Sequence, residues 1–100
     1  MMIDLIGRPA MLEMLAEEGS ELSHAALKLA RKYRGENPTP KSEMECIGAL
    51  TEEIADVMIC VDQLKGLVDM ERVEAVKAQK MVRWKLRMEA DKQEVKKHDR

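Results

Sequence analysis

The prolines set the first limit on what this chain can fold into. There are three, Pro9, Pro38 and Pro40, and they leave two long proline-free stretches, from Ala10 to Asn37 and from Lys41 to Arg100. Proline is tolerated at the first helical position, where its missing N–H would have no partner in any case. The first helix is therefore expected to open near Arg8-Pro9 and to meet no breaker until Gly35, with Gly19 costing only a little propensity. Gly35-Glu36-Asn37-Pro38-Thr39-Pro40 is the clearest loop in the sequence. Ser42-Glu43-Met44-Glu45 then has the form of a capping box, which starts a second helix that should run to about Leu67. Asp69 suits the N-cap of a third helix, from Met70 or Glu71 into the 90s, before a frayed polar tail over 92–100.

No internal repeat and no strand-like alternation interrupts this pattern. Hydrophobic residues make up 45% of the chain, yet the only aromatics are Tyr33 and Trp84, so the core must be built from Leu, Ile, Val, Ala and nine Met. That is a helical composition. The expectation is an all-α fold: one domain over residues 1–100, a helical hairpin plus a third helix, completing a four-helix-bundle-like core by homo-oligomerisation as a homodimer or homotetramer. A chain of 100 residues in long helices buries little surface alone, which favours that completion.

The formal net charge of -2, with both signs interleaved, sets up no overall field for nucleic acid or a membrane surface. Acid is concentrated in the first two thirds, and Lys77, Lys80, Arg83, Lys85 and Arg87 make one later segment basic. No signal peptide and no run of eighteen apolar residues appears, so the cytoplasm is the expected compartment. Cys46 and Cys60 are fourteen residues apart on one expected helix, roughly 21 Å at 1.5 Å per residue, and cannot pair with each other. With no Cys or His at ligand spacing, both read as buried thiols.

The informative residues are acids on the wrong faces. Stepping about 100° per residue along the first helix, Met11, Leu15, Leu22, Ala25, Ala26 and Leu29 form one core-facing stripe. Glu18 falls inside it and Glu21 at its edge, whereas Glu17 points farther around. On the second helix, Ile47, Leu50, Ile54, Val57, Met58, Val61 and Leu64 make the main apolar face, with Ala49, Cys60 and Leu67 widening one flank. Glu53 and Asp56 sit on that flank, and Glu52 points away. A carboxylate on a core face is costly unless it is paired or holds a metal. Two pairs of acids, Glu18 with Glu21 and Glu53 with Asp56, project from facing helices and offer four to six oxygens to one point. All-oxygen ligation suits Mg²⁺ or Mn²⁺ rather than Zn²⁺, and Mg²⁺ in particular shares carboxylates with the phosphates of a substrate. The same spacings also arise on ordinary solvated faces of so charged a chain.

Glu17, Glu18 and Glu21 as E-E-x-x-E, followed by Glu53 and Asp56 as E-x-x-D, resemble the motifs of the all-α nucleoside triphosphate pyrophosphohydrolases of the MazG-like group. The likeness covers roughly Leu12 to Glu89, and includes the Asn-Pro-Thr-Pro loop, the Glu-Glu-Ile-Ala-Asp-Val run, and Lys80-Met81-Val82-Arg83-Trp84, similar to a basic element on that family's last helix. The gap between Glu21 and Glu53 is longer than in many members. The resemblance implies a Mg²⁺-dependent hydrolysis of a nucleoside triphosphate to the monophosphate and pyrophosphate, with Glu18, Glu21, Glu53 and Asp56 as metal ligands. It makes Glu17 a secondary metal contact or the base that orients the attacking water. Lys80 and Arg83 would meet the outer phosphates, and Trp84 would stack a base or simply pack.

Two other readings stay open. Glu21-Leu22-Ser23-His24 is also E-x-x-H, the spacing of di-metal carboxylate bundles, although the second helix offers no matching His. A non-enzymatic helical interaction module, or an inactive family member, would use the Met-rich faces to bind a partner and leave the acids solvated.

Overall fold

A computed structural model describes residues 1–36 and 40–98, so the Asn37-Pro38-Thr39 part of the expected loop lies outside the described residues. The described residues are helical and form no strand. They make four helices: α1 (Met2–Ile6), α2 (Arg8–Arg34), α3 (Glu43–Gln63) and α4 (Met70–His98). The chain divides into two compact units, Met1–Gly66 and Leu67–Arg100. Among the described residues, no helix is long and apolar enough to cross a membrane.

Helix α2 begins where the prolines predict, with Pro9 in its first turn. It ends at Gly35, whose φ of 70° is left-handed and favours glycine. There the Gly35 N–H donates to the Lys32 carbonyl (3.2 Å) and the Glu36 N–H to the Arg31 carbonyl (3.1 Å). This pair of bonds is a Schellman closure, and Arg31, Lys32 and Arg34 add favourable charge at the C-terminal end of the helix dipole. Helix α3 starts with the expected capping box: the Ser42 hydroxyl accepts from the Glu45 N–H (3.1 Å), and the Ser42 N–H donates to the Glu45 carboxylate (3.3 Å). Tyr33, near the end of α2, donates its hydroxyl to Glu43 at the start of α3; that bond, then burial and the nearby charge, raise the phenol pKa. Asp69 caps α4 by accepting from the N–H groups of Glu71 (3.0 Å) and Arg72 (3.3 Å).

Four differences from the sequence reading have physical causes. First, α1 was not anticipated. It is a five-residue helix that ends at Gly7, which takes a φ of 89° between α1 and α2, and the Ile3 N–H is tied to the Gln63 side chain at 3.2 Å. Second, α3 stops at Gln63 rather than Leu67, because the chain tightens there, with the Leu64 N–H on the Val61 carbonyl, just before the poor helix former Gly66. Third, the segment expected to fray stays helical as far as His98. It contains neither Gly nor Pro and is rich in strong helix formers, Lys, Gln and Glu.

The fourth difference positions the site. Helix α2 packs against α3. The residues that α3 turns inward are Cys46 (3% exposed), Cys60 (1%) and Leu64, whereas Ile47, Ile54 and Met58 of the expected main face stay exposed. A helix apolar over more than half its circumference cannot bury all of it against one neighbour. The flank holds the deepest residues and the main face is divided: Leu64 is buried, Leu50, Val57 and Val61 are half-buried, and Ile47, Ile54 and Met58, about a quarter-turn from the flank, stay exposed. Met11, Cys60 and Leu64 form the core cluster, with Ile3, Met14 and Leu15 against it.

Candidate metal centre

Two heptad lines face each other across this hairpin. On α2 the line is Met11, Glu18, Ala25, and on α3 it is Cys46, Glu53, Cys60. Met11 packs with Cys60 at one end, and Ala25 lines a common cleft with Cys46 at the other. Both end positions on each line are buried. The middle rung, about 10.5 Å from either end, therefore sets Glu18 against Glu53. Neither acid has the solvent-facing position that a solubility role requires.

Glu18, Glu53 and Asp56 each place a carboxylate oxygen so that all three lie within 4.8 Å of one another. Opposite ligands of Mg²⁺ stand about 4.2 Å apart, twice a bond of about 2.1 Å, so the gathering needs only side-chain adjustment to share an ion. Burial raises the Glu18 pKa, and the charges of Asp56, Glu53, Glu21 and Glu17 add to the effect in that order. Glu53 is raised by burial and then by Asp56, Glu21 and Glu52. Its Oε2 atom is buried and has no hydrogen-bond partner. A buried acceptor normally has one. An orphaned carboxylate oxygen beside two more carboxylates fits a hard divalent cation, which would meet that oxygen's need and cancel the repulsion together.

The thiols behave as read from the sequence. Both are free and buried, and Cys60 is held protonated by burial and by the charges of Glu18 and Asp56. Glu21 stands outside the three-oxygen group and lines the adjoining cleft with His24, Lys28, Lys41 and Glu53. Glu17 and Glu52 are exposed. Lys80, Arg83 and Trp84 are exposed on α4, in the second unit, where Trp84 shares a surface groove with Met81 and Met88. His24 is exposed, and no second E-x-x-H faces it among the described residues. Lys28 and Lys41 went unnoticed in the sequence. The available signal for Lys28 was its place seven residues beyond Glu21, on the same side of α2.

No protein family, curated protein or solved structure matches the chain. The resemblance to the MazG-like group therefore rests on the sequence motifs alone.

The raised carboxylates set a pH dependence whose sign follows from linkage. A Glu with a raised folded pKa binds its proton more readily in the native than in the unfolded state. Without metal, stability then increases as pH falls into the window above the ordinary glutamate value of 4.5, and is lost as pH rises through the folded pKa. Glu18→Gln is expected to flatten that slope and to raise the metal-free melting temperature at neutral pH by a few degrees, on the order seen for relieved active-site acids. Thermal melts from pH 4.5 to 8 in a chelator provide the check. A lower melting temperature for the variant would mean that Glu18 has a stabilising partner.

Proposed function

We propose that this protein is a Mg²⁺-dependent nucleoside triphosphate pyrophosphohydrolase, MazG-like, converting a (deoxy)nucleoside triphosphate to its monophosphate and pyrophosphate in cytoplasmic nucleotide-pool housekeeping. The observation that carries this reading is the orphaned Glu53 oxygen within a group of three carboxylates on the inward faces of a helical hairpin. Stability alone gives no reason to hold three like charges there. Glu18, Glu53 and Asp56 would hold the ion, and Glu21 joins them by resemblance. When bound, Mg²⁺ (or Mn²⁺) neutralises phosphate oxygens and lowers the pKa of a coordinated water. Glu17, exposed one residue before Glu18, suits either a secondary ion contact or the orientation of that water. Lys80 and Arg83 are candidates for the outer phosphates on the resemblance alone.

No side-chain nucleophile is required, since positioning and charge stabilisation account for most phosphoryl chemistry. The exposed face of Ile47, Ile54 and Met58 supports the further reading that the hairpin completes a four-helix bundle with a second copy. A panel of canonical and damaged ribo- and deoxyribonucleoside triphosphates with Mg²⁺, scored for pyrophosphate against orthophosphate, tests the function. Pyrophosphate release from at least one substrate is expected. Orthophosphate alone would overturn attack at the α-phosphate, and no release at all would favour the interaction module.

A further inference from the structure

The two sides of the carboxylate rung are not alike. On one side Met11 and Leu64 fill the space between α1, α2 and α3. On the other, the facing positions are Ala25, Cys46 and Ala49, among the smallest side chains available, and a cleft of about 150 Å³ opens there. Its floor is apolar and its rim is charged. Glu21 and Glu53 stand at the end next to the ion site, and His24, Lys28 and Lys41 complete the lining.

Lys28 lies ten residues beyond Glu18 on α2, about 15 Å along the axis, but helical side chains lean toward the N-terminus, so its ammonium is carried back toward the carboxylates. It takes part in none of the ion pairs formed by the described residues. We infer that this cleft is a metal-gated polyphosphate subsite, in which Lys28 receives the phosphate groups beyond the one that shares the ion, the role that the resemblance would give to Lys80 and Arg83. The inference rests on the reading of Glu18, Glu53 and Asp56 as an ion site.

The gating follows from charge. Two carboxylates and two lysines share the lining, so the acidic end offsets the basic one and an anion gains little by entering alone. A divalent cation held by Glu18, Glu53 and Asp56 would offset that acidic end, and an anion in the cleft would then meet the ion on one side and Lys28 on the other. Anion and cation must therefore bind cooperatively, each raising the affinity for the other by the same factor. A neutral nucleobase would show no such coupling to the lysine charge.

Calorimetry of the full chain with MgCl₂ and inorganic pyrophosphate tests this without turnover. Wild type should bind Mg²⁺ alone, and should bind pyrophosphate at least about tenfold more tightly with Mg²⁺ than in chelator. Lys28→Gln should leave the Mg²⁺ affinity within about twofold and weaken pyrophosphate about tenfold or more, as expected for one charge-assisted contact. Lys65→Gln removes a charge from the same unit, at the exposed Asp62–Lys65 pair, and should change neither. Retained pyrophosphate affinity in Lys28→Gln, an equal loss in Lys65→Gln, or Mg²⁺-independent binding would overturn the subsite while leaving the ion site standing. Weakened nucleoside binding with pyrophosphate unaffected would assign the cleft to the base instead. Failure to bind Mg²⁺ at all would overturn both readings.

Discussion

Glu53→Gln is expected to lower nucleotide turnover by about 10³-fold or more and to erase the rise in melting temperature that Mg²⁺ gives the wild-type protein. The size of the first effect follows from the position. Glu53 is at the centre of the inward line of α3, its Oε2 has no other partner, and Asp56 and Glu18 complete the group. Removing one preorganised charge-stabilising group from a reaction centre costs roughly 10²–10³-fold, and loss of the ion itself compounds that. The second effect follows from linkage: an ion present at a hundredfold excess over its Kd stabilises by about 2.7 kcal/mol, a shift on the order of ten degrees for a small domain. Glu18→Gln and Asp56→Asn should behave alike. Circular dichroism must show unchanged helix content, because the amide preserves shape. A Glu53→Gln protein that still gains stability from Mg²⁺ would move the ion elsewhere, and one that retains turnover would remove Glu53 from the chemistry. Glu21 is the discriminating comparison. As a ligand, its Gln variant loses metal binding with the rest; as a wall of the cleft, it keeps the metal.

The local rules were readable because each depends on a few adjacent residues. Pro9 at the start of α2, the Ser42–Glu45 box and the Asp69 cap all act through short-range hydrogen bonds, and each is found where the sequence places it. Packing was less readable. The apolar surface of α3 is wide enough for two neighbours, and periodicity cannot say which part meets α2. Counting apolar residues favoured the face of Ile47, Leu50, Ile54, Val57, Met58, Val61 and Leu64, of which Leu64 is buried and Leu50, Val57 and Val61 half-buried, although the deepest positions belong to the line of smaller residues, Cys46 and Cys60. That choice drew Glu53 from a flank into the interface. The position of Glu18 within an apolar stripe was thus legible from periodicity, while the depth of Glu53 and the asymmetry of the two sides of the rung required the structure. Helix α1 was hidden for a different reason: five residues carry too little periodicity to register, and the Ile3–Gln63 bond that anchors them spans sixty positions.

The exposed part of the apolar face of α3 leads to the other large expected effect. Ile47, Ile54 and Met58 are 41%, 42% and 62% exposed and lie within about 40° of one line along the helix. Burying what remains exposed of each against a second copy is worth roughly 1 kcal/mol, about half the value for a fully exposed side chain. In a two-fold interface every such contact occurs twice, so one substitution is felt twice. Ile54→Glu loses that burial in both copies and places two like charges in one apolar patch. It should weaken association by at least about 3 kcal/mol, more than a hundredfold in Kd. Analytical ultracentrifugation should find wild type as a dimer or larger, and Ile54→Glu as a monomer at the same micromolar concentration. Ile59→Glu is the control. Its side chain is also exposed, at 48%, but projects about 140° from Ile54 around α3, and it should leave the assembly intact. If wild type is itself monomeric, or if Ile59→Glu dissociates it equally, the exposed face of α3 is not the seam between copies. If only Ile54→Glu dissociates it, the same apolar excess that misdirected the packing expectation becomes the surface that completes the bundle.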